Sequence, residues 1–488
     1  MDALHLFAPS GRLASRGPRR QRPGNLAAAR GQALVLSLVL LFGGALGFYF
    51  MFSTGQVAST RQRLDNAADA AAWSAALWRA RVMNYHAYAN RAIVAQEVAI
   101  AQAVTLASWA KYFEQFSANA AMLASVYPPV AAVLEVSADL ARTGRTLTEQ
   151  TAAEEVLARS AYKRTLAASQ EVLQASAETF GLGAVANEVA RANDPRFFAF
   201  ALPDGGEFRA MSRRYAADDR ARLKSVVDDS LDAFVAGPRG LELTLFPLPS
   251  SCFGNPLVSP SKWFQQLHKR GGTVMVPGFD RWEAADTHSL HDWRRSSGFF
   301  GFSGCNLREL LPLGWGAVQA TNGPPPPPPE RPSTDDGTWS FPLDSVLQGN
   351  PGNVRFNPMA TTLAEQEIQG AGHSGFEAYN GIETVRELDY AALANPRFPT
   401  SRLAVLARAE AQDVRTANVL NVGVGRLRLS ENLAGSRLWS VSAAEVYFRR
   451  PDGAPARLEY ASLYSPYWQV RLVEPSAAQR ALADTYVR

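Results

Sequence analysis

Cysteine is almost missing from this chain: its 488 residues hold two, Cys252 and Cys305, so covalent cross-linking is limited to one bridge. Histidine is nearly as scarce, at six. Charged side chains make up 19% against 47% hydrophobic, a balance that suits a folded protein and not a disordered one. A basic body is also lacking, although the formal charge is +4. Residues 1–31 carry six arginines (Arg12, Arg16, Arg19, Arg20, Arg22, Arg30) and one acid, Asp2, a net of +5, which leaves 4 − 5 = −1 for everything after them. Such a body has nothing with which to hold a phosphate backbone, so nucleic acid is not an expected partner. No nucleophile elbow, phosphate-binding loop or dinucleotide fingerprint occurs. The nearest glycine cluster, Asn421–Leu427 (NVGVGRL), has no lysine following it to hold a phosphate. Carboxylate pairs such as Glu154-Glu155 and Asp218-Asp219 read as solvated faces. No acid, base and oxyanion donor come together, so the expectation is a non-catalytic chain without a cofactor.

What is present begins with Ala33–Phe52, ALVLSLVLLFGGALGFYFMF, 52 − 33 + 1 = 20 residues without a charge. A helix rising about 1.5 Å per residue crosses a hydrocarbon core of about 30 Å in that length. A cleavable signal peptide has a shorter apolar region of about 7–15 residues and a small-x-small site. Here only Val57-Ala58-Ser59 offers one, so an uncleaved anchor is expected. The arginines before the span orient the N-terminus inward and send the rest across the membrane. Gly43 and Gly47 form a small-xxx-small face that lets two helix backbones approach and suits a helix-mediated oligomer, although glycine is also common in membrane helices generally.

From Gln56 to Val126 there is neither proline nor glycine, and alanine dominates. Large residues recur every seven positions at Leu64, Trp78, Tyr85, Leu106 and Phe113, with Ala71, Ala92 and Ala99 between them. Ala68, Ala75, Val82, Ala89, Gln96, Ala103 and Ala110 follow four residues later, a seam of period 3.5 that is polar only at Gln96. Pro128-Pro129 ends this run. A second helical stretch, Val130–Asn193, is interrupted at Gly144 and closed by Asp194-Pro195. An antiparallel pair is the simplest arrangement.

The strings RGQALVL (Arg30–Leu36), RLDNAADAAAWSAAL (Arg63–Leu77) and NYHAYANRAIVAQEVAIAQAV (Asn84–Val104) resemble the N-terminal module of the TadE/TadG-like proteins of tight-adherence (Tad, or Flp) pilus assembly. Asn66 and Asp69 belong to its Asn-Ala-Ala-Asp-Ala-Ala motif. The resemblance covers roughly residues 25–115 and an aromatic stretch, EYASLYSPYWQVRL (Glu459–Leu472). It implies a single-pass inner-membrane component with its bulk in the periplasm, partnered by the bilayer and by other Tad pilus-assembly proteins. Two departures limit it. Counting five residues on from Gly31 gives Leu36, where processed pilins carry glutamate. The string Asp228-Asp229-Ser230-Leu231-Asp232 lacks the final serine of a metal-dependent adhesion motif, so that metal site is not expected.

Beyond Asp194, glycine and proline become frequent and short strand-like runs appear: Leu241–Phe246, Thr273–Val276, Arg402–Ala407, Leu427–Leu429, Glu445–Arg449 and Trp468–Leu472. Pro451-Asp452-Gly453 marks a turn, and the proline run within residues 323–332 reads as a stiff spacer. The expected organisation is therefore α+β: a basic tail (1–31), an anchor (32–54), an alanine-rich helical region (55–194) and a mixed strand and loop region (195–488). On the oxidising side of a membrane Cys252 and Cys305 read as a disulfide, worth at most about 4 kcal/mol in the chain-entropy account. His288 and His291 in DTHSLHDW have the spacing for zinc on one helical turn, but His268 and His373 are poorly placed as a third ligand, so exposed or loop histidines are the better reading. His86, in the seam, is expected to pack or cap. Trp263, Trp282, Trp293, Trp315 and Trp339 read either as core or as an aromatic binding surface.

Overall fold

The computed structural model describes residues 32–126, 128–214, 220–276, 278–296, 304–323, 356–368, 376–393, 395, 397–416, 437–450 and 459–487. The basic tail, the proline run after Gly323, Asp218-Asp219, Leu427–Leu429, NVGVGRL, Pro451-Asp452-Gly453, Trp339 and His373 lie outside them. The fold is mixed α+β. Helices are α1 (Gln32–Leu123), α2 (Pro128–Ser176), α3 (Thr179–Asn193), α4 (Glu207–Met211), α5 (Arg220–Asp228), α6 (Ala233–Ala236), α7 (Pro358–Ile368) and α8 (Ala477–Val487). Strands are β1 (Phe198–Ala201), β2 (Ser212–Arg214), β3 (Leu241–Pro249), β4 (Phe264–Met275), β5 (Trp282–Ser296), β6 (Gly304–Ala320), β7 (Arg386–Leu388), β8 (Thr400–Ala409), β9 (Leu438–Phe448) and β10 (Trp468–Val473).

The chain divides into two compact units, Met1–Leu64 with Ala409–Leu438, and Asp65–Arg408 with Trp439–Arg488. In the first, the residues from Ala33 to Phe52 are solvent-facing apart from half-buried Tyr49, with Leu34 67% and Phe48 76% exposed. This stretch is long and apolar enough to cross a membrane.

The second unit is built on the alanine-rich part of α1. Ala67, Ala68, Ala71, Ala72, Ala75 and Ala76 are all fully buried, two adjacent small residues per turn, which widens the buried face well beyond a narrow seam. A straight helix drifts about 20° per heptad against a 3.5 repeat. From Leu64 to Phe113 that accumulates to about 140°. Leu64 is accordingly buried, Trp78 and Tyr85 are half-buried, and Leu106 and Phe113 are 47% and 38% exposed. The expected seven-residue seam thus rotates out of its interface.

Helix α2 begins at Pro128, where a missing N–H costs nothing in a first turn. It runs through Gly144 without the expected interruption and breaks instead at Ala177-Glu178. Trp78 with Ser176, Tyr85 with Ser169, Gln96 with Arg159 and Glu114 with Arg145 are bonded in opposite chain order, so α1 and α2 are antiparallel.

Strands β3-β4-β5-β6 form an antiparallel meander, and a second sheet has the order β1-β8-β9-β10. On β6, a Cβ added at Gly316 would sit 2.5 Å from the Ser108 carbonyl and the Tyr112 nitrogen, and one at Gly314 2.8 Å from Phe116. Only glycine lets the α1 backbone lie this close to the strand. Helix α7 packs on β5 and β6 as well. One core joins Ile93, Ile100 and Val104 of α1 to Val156 of α2, Leu223 of α5, Trp282 of β5 and Tyr379, so residues on both sides of position 194 share it. A smaller core places Ala483 of α8 against Leu406 and Ala443 of the second sheet. Cys252 and Cys305 form a disulfide with Cα atoms 6.5 Å apart, tying the turn after β3 to the start of β6.

Candidate functional site

Helix α1 carries the residues that organise the second unit. Arg79, His86, Asn90 and Glu97 are each fully buried on one face of the helix. Arg79 and Glu97 stand eighteen residues apart, five turns at 3.6 residues per turn, so the polar stripe keeps its face where the 3.5-residue seam does not. Burial makes every unpaired group on this stripe costly, and all four side chains find partners, although His86 Nδ1 is left without one. Arg79 bonds to the Ala177 carbonyl at 3.1 Å, Ser401 Oγ at 3.2 Å and Asp204 at 2.5 Å, with its guanidinium 4.5 Å from the Phe208 ring centroid. Burial lowers its pKa and Asp204 opposes the shift. His86 meets Gln174 at 3.1 Å, and burial pushes it down to about 4. Asn90 donates to the carbonyls of Arg386 at 2.7 Å and Leu463 at 2.8 Å, and its own oxygen accepts from Gln170 at 2.6 Å. Glu97 is ion-paired with Lys163 and accepts from Trp282 Nε1 at 3.2 Å and the Tyr379 hydroxyl at 3.0 Å.

The same helix captures chain from far downstream. Asn84 donates to the Trp468 carbonyl and accepts from its N–H, both at 3.0 Å, acting as a strand partner for the first residue of β10. Asp69 accepts from Ser442 Oγ of β9 at 2.6 Å, whereas Asn66 is exposed.

The histidines require a correction. His288 and His291 are neither on a helical turn nor at the surface: they lie in β5, 7% and 2% exposed. An odd separation in a strand sends side chains to opposite faces. His288 meets Tyr112 of α1 at 3.2 Å and stacks on Phe116. His291 meets Asn357, just before α7, at 2.8 Å. The neighbour of His291 is His268, with ring centroids 4.7 Å apart, against Phe356. Beside His288 on β5, burial alone would raise the Asp286 carboxyl, but Arg239 at 2.9 Å and Lys269 at 2.7 Å hold it below the usual range. Among the described residues no group of three or more His, Cys, Asp or Glu is placed to hold a metal ion. In the adhesion-like string, Asp228 pairs with Lys224, Ser230 bonds back to Val226, and Asp232 caps α6 through the N–H groups of Phe234 and Val235.

The tryptophans do not share one surface. Trp282 is core, Trp263 packs on Phe253, and Trp293 lies under the Lys262 ammonium. In the first unit, Gly43, Gly44 and Gly47 are exposed, and a Cβ added at any of them meets nothing within 4 Å.

Residues 31–80 match the family model described as putative Flp pilus-assembly TadE/G-like. The N-terminal module is TadE/G-like. No curated protein and no solved structure matches the chain. The TadE/G-like segment takes in the apolar stretch, the buried alanine ladder, Asn66, Asp69 and Arg79, and stops short of Asn84, Asn90 and Glu97. Sequence reasoning missed the role of those three and of Arg79. The available signal was Arg79, His86, Asn90 and Glu97 at helical spacing on an alanine-rich face.

Proposed function

We propose that this chain is a membrane-anchored, non-catalytic component of Tad/Flp-type pilus assembly, with its N-terminus in the cytoplasm and its bulk in the periplasm of an inner-membrane protein. The observation that carries the reading is the TadE/G-like match over residues 31–80. The exposed apolar stretch Ala33–Phe52 supports it, because a chain in water would not leave so many large apolar residues uncovered. The six arginines before that stretch support the orientation. The buried carboxylates of α1 and β5 support a structural role, since Glu97 and Asp286 are spent on Lys163, Arg239 and Lys269.

Contact with other assembly proteins runs, in this reading, through the Gly43/Gly47 face. The isolated chain has room for a Cβ at both positions, so a need for glycine there has to come from a neighbouring helix. The test is Gly43→Ile with Gly47→Ile, followed by co-purification with Tad pilus-assembly proteins from membranes. Reduced recovery is expected; unchanged recovery removes the helix-face part. A second reading, an adhesin displayed on the anchor, is favoured by the edge strand β3 and the turn after it, where Phe246 and Leu257 are 79% and 74% exposed. Phe246→Ser with Leu257→Ser separates the two: normal pili with lost adhesion supports display, and unchanged adhesion supports assembly.

A further inference from the structure

Strand β3 and the turn after it leave large apolar side chains uncovered. A strand packed on one side alternates buried and exposed residues, but β3 is exposed along nearly its whole length, so both of its faces meet solvent. Its ladder with β4 shifts between Thr244 and Pro249. Phe246 and Leu248 stand exposed there, as do Phe253 and Leu257 of the turn. Printed by their contacts, these groups form one tip: Phe246 and Phe253 both meet Phe264, with ring centroids 5.0 and 5.8 Å away, and Phe253 also meets Trp263. The Cys252–Cys305 bridge ties this turn to β6.

Cations border the tip. The Lys262 ammonium, next to Trp263 in sequence, lies 4.9 Å from the Trp293 ring centroid. Arg294 approaches Asp292 at 3.9 Å, and Asp292 accepts from the N–H and hydroxyl of Ser251, just before Cys252, at 3.0 and 2.6 Å. In the β5–β6 register Arg308 stands opposite Asp292 and Arg295 stands opposite Cys305. All three arginines are exposed. The nearest acids of these strands are engaged. Asp292 is held by Ser251, Glu309 accepts from the N–H groups of Met359 and Ala360 at the start of α7, and Glu242 pairs with buried Arg270. Four cations therefore adjoin an exposed apolar tip, and the whole is complementary to a negatively charged surface with an apolar layer beneath it.

We propose that this tip docks on an anionic lipid bilayer surface. Phe246, Leu248, Phe253 and Leu257 enter the boundary between headgroups and acyl chains, and Arg294, Arg295 and Arg308 meet lipid phosphates. The edge itself argues against a protein strand as the occupant. Pro247 and Pro249 have no N–H, so a strand added to β3 would lose its ladder where the edge is most apolar. The outer backbone groups of β3 still need water, which keeps the contact shallow. This contact is separate from the apolar stretch Ala33–Phe52. It gives the residues of the adhesin reading a different occupant, and its readout, lipid contact of the purified chain, does not involve pilus formation.

The test uses the full chain in proteoliposomes, with added empty vesicles so that either bilayer can be reached. Leu257→Cys carries the environment-sensitive dye NBD, and Glu154→Cys on the exposed side of α2 carries it as the control. In phosphatidylcholine vesicles containing phosphatidylglycerol, the Leu257 dye should shift to the blue and be quenched more by a shallow doxyl lipid than by a deep one. Arg295→Gln with Arg308→Gln should lower the ratio of inserted to free tip by about fivefold per arginine. Both side chains are exposed, so this variant keeps its unfolding midpoint. Phe246→Ser with Leu248→Ser should also reduce quenching. Quenching no greater than at the Glu154 control overturns the proposal. Equal quenching in pure phosphatidylcholine makes the tip merely apolar and overturns it as well. A dye shielded from aqueous iodide yet untouched by doxyl lipid assigns the tip to a second copy of the chain instead.

Discussion

The first part of α1 and its later part are the same secondary structure made for opposite surroundings. From Ala33 to Phe52 the helix has no charge and nearly every side chain is exposed; from Ala67 to Ala110 most of its alanines are buried, and Arg79, His86, Asn90 and Glu97 are buried with them. In the first part glycine leaves empty space beside the helix, and in the second part the glycine belongs to the partner strand and is filled by the helix itself. In the proposed reading the first part faces lipid, which keeps its outside greasy and its specificity small and steric. A helix meant for a protein core spends polar groups on fixing which segments lie against it.

The comparison breaks most sharply at Glu97. Glu97→Ala leaves Lys163 buried and uncompensated and should cost about 3–5 kcal/mol in urea unfolding of the full chain, whereas Glu97→Leu with Lys163→Leu should recover most of it. If the single variant is as stable as the parent, the polar stripe does not organise the unit. The next largest effect is expected from pH. His86 falls from an ordinary value of 6.5 to about 4 on folding, so its neutral form is favoured in the native state. That contribution is complete above pH 6.5 and is lost as pH falls through about 4, a change on the order of 3 kcal/mol for one histidine. Burial acts oppositely on Glu283, which rises to about 7: its contribution is present below its unfolded value of 4.5 and lost as pH rises through 7. His86→Phe should flatten the acid limb of the unfolding midpoint plotted against pH; an unaltered limb would contradict the assignment.

Gly316→Ala should come next. Its methyl would meet two α1 backbone atoms at 2.5 Å, and the helix has to shift by about the cost of overpacking, 1–3 kcal/mol, read as a lowered melting midpoint. The smallest effect sharpens the contrast. Gly43→Ala with Gly47→Ala should change unfolding by less than about 0.5 kcal/mol, since nothing within 4 Å of the added methyls resists them. A large loss of stability there would mean that the first part of the helix is also packed.

The parts that could be read in one dimension were read. The apolar stretch is recognisable because length and absence of charge are local properties, β8 shows an apolar run, and β9 and β10 show the β-branched and aromatic residues that strands favour. Strand β5 shows neither alternation nor a greasy run. It is buried on both faces while carrying Glu283, Asp286, His288, His291 and Asp292, and it is tolerable only because Arg239, Lys269, Gln319 and Asn357 arrive from other strands and loops. Nothing within the string DTHSLHDW announces those partners, so its histidines looked like surface residues. The seam of α1 failed for a different reason. A seven-residue repeat over seven heptads is a coiled-coil signature only if the helix supercoils, and here the burial follows 3.6. The Asn66–Ala71 motif was legible as a resemblance, but the Ser442 partner of Asp69 lies 373 residues away.

That last separation carries a consequence for biogenesis. The long helix is synthesised before the strands it holds, and Asn84 and Asn90 obtain their partners from Trp468 and Leu463, at 384 and 373 residues' remove. A nascent chain halted anywhere before those residues holds an assembled helix with naked amides on its inward side. Maturation therefore waits for Leu463 and Trp468, and a product cut before them should be read by the cell's quality control as an unfinished protein, not as a slightly smaller one.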